Sequence, residues 1–263
     1  MNELIRLARG AKVYDLAQPY YVGMPHHPVH PPYLFGMTKK HGDYMVPGGV
    51  SSAADGIAFG GHVGTHIDAL CHFSCGGKLH DGSVAAEAQS YGGGMERLAV
   101  DGVAPMLRRG VLLDIAGLEG VEVLPVDFSI TPAHLDAAAK AHGVEPGPGD
   151  VAILRTGWAQ YWGDAAKFIA EVQGPGPEID AARWLSSRSV FAAGSDTVAF
   201  ELVPARSMPV HVHLLVERGI HIVECLNMEQ LAADRVYEFL FVAAPLRIQG
   251  GTGSPIRPLA VVA

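Results

Sequence analysis

Eleven residues, His62-Val-Gly-Thr-His66-Ile-Asp68-Ala-Leu-Cys-His72, gather three imidazoles and one carboxylate. Imidazole nitrogen and carboxylate oxygen are the donors that hold Zn²⁺, Mn²⁺ or Fe²⁺, and two His with one carboxylate leave coordination positions open. An open position takes water, whose pKa falls from about 15.7 to about 7 on such an ion. In an extended strand side chains alternate faces, so His62, Gly64, His66 and Asp68 are expected on one side, with Gly64 leaving room for the ion. His72, four residues past Asp68, is the candidate general base that then protonates the leaving group.

Two competing readings of this segment are weaker. His62 and His66 also stand four apart, as in the His-Glu-x-x-His helix of zinc proteases. Val63 replaces the required Glu, however, and Gly60, Gly61, Gly64, Thr65 and Ile67 are poor helix material, so a strand or strand end is expected. Cys71 and Cys75 beside His72 raise a structural zinc site with thiolate ligands, but no second cysteine pair completes one. A single buried His is ordinarily a satisfied core residue; four ligand-type residues packed after a double Gly are not explained that way.

The elements needed to position these groups alternate. Strands are expected at Val13 to Leu16, Gly110 to Ala116, Asp150 to Arg155, Ser189 to Ala193, Ile220 to Glu224, Val236 to Val242 and Ile256 to Val262. One helix starts at Thr131-Pro132 and stops at Gly143, a second runs from Glu178 to Leu185, and His213 to Arg218 reads as a helical end closed by Gly219. Prolines forbid regular structure from Gln18 to Tyr33, a long ordered loop or lid, and the stretch from Val46 to Ala58 is small, polar and Gly-rich. The outcome is a mixed α/β architecture with one continuous core, expected as a single domain over residues 1–263.

Composition bounds the partners. The chain has 263 residues, 49% of them hydrophobic, a formal net charge of −8 and no Lys/Arg cluster, which argues against nucleic acid and for a small-molecule substrate. The lead-in Met1 to Gly10 is amphipathic and lacks a secretory signal's apolar run, and no segment reaches eighteen uninterrupted apolar residues, so no membrane span is expected. Cys71, Cys75 and Cys225 cannot all pair within one chain, which suits a reducing compartment, the cytoplasm by expectation.

The segment His-x-Gly-Thr-His-x-Asp with a His four residues later resembles the signature of a cyclase family that includes bacterial kynurenine formamidases and isatin hydrolase. The resemblance runs from Asp15-Leu16 and Gly23-Met-Pro25 to the closing Gly251-to-Pro258 stretch, and Asp68-Ala-Leu70 is similar to the longer, isatin-hydrolase-type members. It implies a swivelling β/β/α, barrel-like β core with flanking helices, and dimers or tetramers. It also implies a metal-activated water attacking a non-peptide amide, with Mn²⁺ or Zn²⁺ on His62, His66 and Asp68 and with His72 as acid/base. In formamidase-like members a second metal shares the motif Asp with a later His and Glu. The matching stretch offers His211 or His213, with His211 preferred after Pro209-Val210, together with Glu224; one or two metals per chain stay open.

Further candidates carry less. His26, His27 and His30 line the entrance or merely decorate a loop; Trp158 and Phe59 stack on an aromatic substrate or pack the core; Asp196 follows a strand without a specific role. The expected function is hydrolysis of a small cyclic or aryl amide in the manner of isatin. An arylformamidase acting on N-formylkynurenine is the alternative, and a non-hydrolytic polyketide-type cyclase or metal-binding protein is the alternative of a different class.

Overall fold

The computed structural model describes residues 3–263, so Met1 and Asn2 of the amphipathic lead-in lie outside the described residues. The rest of that lead-in is helix α1, Glu3–Gly10. Eleven strands position the site: β1 Lys12–Asp15, β2 Leu34–Lys39, β3 Ala54–Ala58, β4 His66–Asp68, β5 Met106–Asp114, β6 Val151–Arg155, β7 Ala192–Ser195, β8 His221–Glu224, β9 Glu238–Ala243, β10 Gly253–Pro255 and β11 Leu259–Val262. Nine of them form one mixed sheet in the order β1-β11-β9-β5-β6-β7-β8-β4-β10. The run β5-β6-β7-β8 is parallel and every other pairing is antiparallel. The α/β expectation holds, with an open mixed sheet in which β1 and β10 are edges.

Alternation along the central strands divides the core into two layers. Val111, Leu113, Ala152, Leu154, Ala193 and Ile222 face the helical layer, where α2 (Pro132–His142) contributes Leu135 and Ala138 and α3 (Ile179–Ser187) contributes Ala182 and Leu185. Leu112, Val151, Ile153, Ala192 and Val223 face the other way, onto Phe241, Ala260 and Leu226. All five residues of β6 are buried, as a central parallel strand covered on both faces requires. Helix α2 begins and ends where its local chemistry dictates: Thr131 caps it, Pro132 opens it, and Gly143 closes it in the left-handed conformation.

Two expectations need correction. The extended strand drawn from His62 to Asp68 exists only as β4, because Gly64 takes φ +72°, which no strand accommodates, and places His62 in a turn. A Cβ on Gly64 would lie 2.4 Å from the Tyr20 ring, so this glycine makes room for Tyr20 rather than for an ion. The Gly-rich stretch before Ala58 holds β3, which pairs antiparallel with β2 in a separate hairpin. That hairpin hides no face in its own chain, so it carries no hydrophobic alternation to read. The helical end expected before Gly219 holds: a turn at Pro209–His211 widens into a π-helix, Val212–Arg218, which Gly219 closes in the left-handed conformation.

Candidate metal centre

Strand β4 lies between β8 and β10, with His66 directly opposite Glu224 and Asp68 opposite both Ile222 and Gly253. His66, Asp68 and Glu224 therefore share one face of the sheet, at the carboxyl end of β8 where the order changes from parallel to antiparallel. The His62 ring folds back from its turn onto Gly253, whose missing side chain it needs: a Cβ there would sit 2.5 Å from the imidazole. His72 follows β4 in a turn closed by its backbone N–H donating to the Ala69 carbonyl at 2.9 Å.

The six residues expected from the sequence meet at one cavity of ≈ 420 Å³, with Asp68 behind the imidazoles. Ligand atoms of His62, Asp68 and His72 lie within 4.8 Å of one another, and so do those of Asp68, His211 and Glu224. His66 stands between these triplets, its Nε2 3.4 Å from Asp68 Oδ1 and 3.5 Å from Glu224 Oε2. Its Nδ1 is 2.8 Å from the Gly64 carbonyl, which can only accept, so Nδ1 carries the hydrogen and Nε2 presents its lone pair to the two carboxylates. His62 holds Asp68 Oδ1 through Nδ1 at 2.7 Å and Thr252 Oγ1 through Nε2 at 2.9 Å. The His72 ring stacks on His62 with centroids 3.8 Å apart, and neither of its nitrogens has a hydrogen-bond partner among the described residues.

His211 and His213 part company here. His211 Nε2 lies 3.3 Å from Glu224 Oε1, whereas His213 turns to Glu217 at 2.7 Å and Ser186 Oγ at 2.9 Å. What aims His211 is Glu201, a fully buried carboxylate that takes the His211 Nδ1–H at 2.5 Å and the backbone N–H of His211 at 3.0 Å. Glu201 thus satisfies the open amino end of the turn Pro209–His211 and orients its imidazole in one arrangement. Its only sequence signal is a lone carboxylate in the apolar run Val198-Ala-Phe-Glu201-Leu-Val203, where burial demands a partner.

The electrostatics bear on what this site holds. Asp68, Glu201 and Glu224 are buried, and among the described residues no Lys or Arg lines the cavity. Burial opposes a charge on His211, yet its hydrogen bonds to Glu201 and Glu224 prevail and push it up to about 10. Asp68 likewise raises His66 against burial. Burial raises Glu224, while the imidazoles of His72 and His62 outweigh burial at Asp68 and hold it well below the usual carboxylate range. A buried ion costs several kcal/mol unless paired, so a pocket that drives imidazoles toward imidazolium is short of positive charge. The donor set fits a divalent cation, which would supply that charge on the lone pairs the protons otherwise occupy. His72 is the exception: burial pushes it down to about 3, which keeps it neutral.

The remaining candidates separate cleanly. His27 and His30 line the cavity, His30 stacking on His62 with centroids 5.0 Å apart, while His26 does not. Trp158 is core, its Nε1–H donating to the Phe168 carbonyl at 2.8 Å, and Phe59 packs with Tyr20 and Tyr33 outside the cavity. The aromatic ring that does reach the site is Phe73, 4.9 Å from the His72 ring and 4.8 Å from that of His211. Asp196 is buried against Thr156, away from the cavity, and burial pushes it up to about 6. Cys71 is buried and Cys75 exposed, and neither belongs to a metal-type cluster among the described residues.

Comparison with known proteins gives a consistent result. The family described as Putative cyclase matches residues 14–202. An isatin hydrolase from Roseibium aggregatum is 31% identical over 214 residues, 78% of this chain and 73% of the relative. A kynurenine formamidase from Bacillus cereus is 28% identical over 196 residues, 74% of each chain. A solved structure described as a novel cyclase superposes with a TM-score of 0.90 at 31% identity, covering 98% of this chain and 89% of that one.

Proposed function

The chain belongs to the cyclase family, and from that membership together with the site's geometry we propose that it is a divalent-metal-dependent hydrolase of a small, non-peptide cyclic or aryl amide, of the isatin-hydrolase kind. The observation that carries this reading is the convergence of His62, His66, Asp68 and His72 on one cavity whose lining also includes the apolar side chains of Phe73, Val198 and Val203. The ligands we assign are His62, His66 and Asp68, with His211 and Glu224 added where a second ion binds. When bound, Mn²⁺ or Zn²⁺ polarises the amide carbonyl and makes water nucleophilic at neutral pH.

The chain's own residues supply the rest. His72 is neutral, unpaired and against the cavity, so its free nitrogen can take the proton from the attacking water and return it to the departing amide nitrogen, closing the proton balance. Thr252 and the Gly64 carbonyl fix the His62 and His66 rings, so that the ligand face is set before substrate arrives. The apolar part of the lining excludes water and accepts a flat ring. The second triplet, Asp68 with His211 and Glu224, favours arylformamidase activity as the second reading, since in formamidase-like members the motif Asp serves two ions.

The test is to strip the protein, reconstitute it with Mn²⁺ or Zn²⁺, and follow isatin and N-formylkynurenine by absorbance. Metal-dependent ring opening of isatin is expected; formamide cleavage with two ions per chain would move the assignment to the second reading. With metal bound, no hydrolysis of either compound would overturn both. No described helix is long and apolar enough to cross a membrane, and the free cysteines support a reducing, cytoplasmic setting. The hairpin β2–β3 supports a homo-oligomer, because it displays Leu34, Phe35, Met37 and Ile57 to solvent and an isolated hairpin is marginal in water.

A further inference from the structure

A second cavity, larger than the catalytic one, lies on the same sheet. It opens at the amino end of β8, has a volume of ≈ 690 Å³, and shares no lining residue with the cavity of the metal centre. His221 starts β8 and Glu224 ends it, so the two sites are about 10 Å apart along one strand. Leu70, Leu98 and Phe191 give this second cavity an apolar side, and Glu96 and Asp101 give it an acidic one. Among the described residues no Lys or Arg lines it, the Arg108 guanidinium lying over the Phe191 ring at 3.6 Å, and neither carboxylate is in an ion pair. Its size falls in the range of small-molecule sites.

One buried group is aimed into it. His221 is only 7% exposed, and its Nδ1 lies 2.8 Å from the backbone carbonyl of Asp68. A carbonyl only accepts, so Nδ1 carries the hydrogen and Nε2 is left as a bare acceptor on the cavity's side. Nothing among the described residues donates to it. An acceptor with no donor among the described residues, on a side chain lining a cavity that has an apolar side and two carboxylates outside any ion pair, is complementary to a molecule with an N–H donor of positive charge on a flat or aliphatic body. We propose that this cavity is a second small-molecule site, selective for an aromatic or aliphatic amine, whose ammonium donates to His221 Nε2 and faces Glu96 and Asp101. Such an occupant polarises the imidazole that holds the strand carrying Asp68, so the site is placed to act as an effector site for the metal centre.

Benzylamine is the probe and benzoate its charge-reversed control, titrated by NMR into the metal-loaded full-length chain. Benzylamine is expected to saturate and to shift His221 and residues 99–104, with benzoate at least about tenfold weaker. Ala104→Trp, which fills the wall from an exposed position remote from the metal ligands, is expected to weaken benzylamine at least about tenfold while leaving turnover without amine unchanged. His221→Phe is expected to weaken it similarly; if that variant does not fold, Ala104→Trp decides alone. No saturable binding of benzylamine, equal binding of benzoate, or an affinity untouched by Ala104→Trp would each overturn the proposal.

Discussion

The two side-chain triplets that share Asp68, His62–Asp68–His72 and Asp68–His211–Glu224, are held in place by different chemistry. In the first, His62 leans on a neutral hydroxyl, Thr252, and His72 packs against the rings of His62 and Phe73 with no hydrogen bond among the described residues, so burial wins at His72 and keeps it uncharged. In the second, His211 is gripped by the carboxylates of Glu201 and Glu224, which overcome burial and favour charge. A neutral imidazole suits proton transfer, and a carboxylate-backed imidazole suits retention of a cation. On the roles proposed above, the site divides its labour by what stands behind each histidine, since the histidines themselves are alike.

Asp68→Asn should have the largest effect, because it removes the one group common to both triplets. We expect bound metal to disappear by elemental analysis and turnover to fall to background; stoichiometric metal in this variant would mean that the triplets do not depend on a shared carboxylate. His72→Ala should separate the two functions. It is expected to keep its metal while losing turnover by roughly 10²- to 10⁴-fold, the usual contribution of a general acid/base. Loss of metal along with activity would instead make His72 a ligand, as its distance to His62 and Asp68 allows.

The same contrast sets what was legible in the sequence. The first triplet sits in eleven contiguous residues and was visible as composition alone, although the strand invoked to align it was wrong, since Gly64 turns the chain at φ +72°. The second triplet is created by pairing β8 with β4, which brings Glu224 opposite His66 across a gap of more than 150 residues that no local pattern encodes. Only the family resemblance pointed to it, and it left His211 and His213 unresolved. Strand β6 and the Gly110–Asp114 half of β5 were readable because both of their faces are buried; β2 and β3 were not, because neither face is. Glu201 escaped notice for a related reason: its partner is ten residues away, on the far side of a loop.

Glu201→Gln tests whether the carboxylate behind His211 matters. Glutamine keeps the shape, and its single carbonyl oxygen can still accept from the backbone N–H of His211, but it loses the second acceptor, which serves Val210, and removes the charge facing Nδ1. Metal affinity of the Asp68–His211–Glu224 triplet is expected to drop roughly 10- to 100-fold, with a smaller change at the His62 side. Equal weakening of both triplets, resolved by stepwise metal titration, would show that they behave as one unit.

The smallest effect is expected at His213. Two residues from His211 in the chain, it points the other way, and its ring nitrogens are engaged by Glu217 and Ser186. His213→Gln should lower stability by about 1 kcal/mol, the net worth of an ordinary hydrogen bond, and leave metal stoichiometry and affinity within about twofold. His211→Gln in the same titration should lose the second ion. A His213 variant that also lost metal would place its side chain, or the π-helical turn that carries it, in the cation's support, and the neat separation of these two histidines by direction would fail.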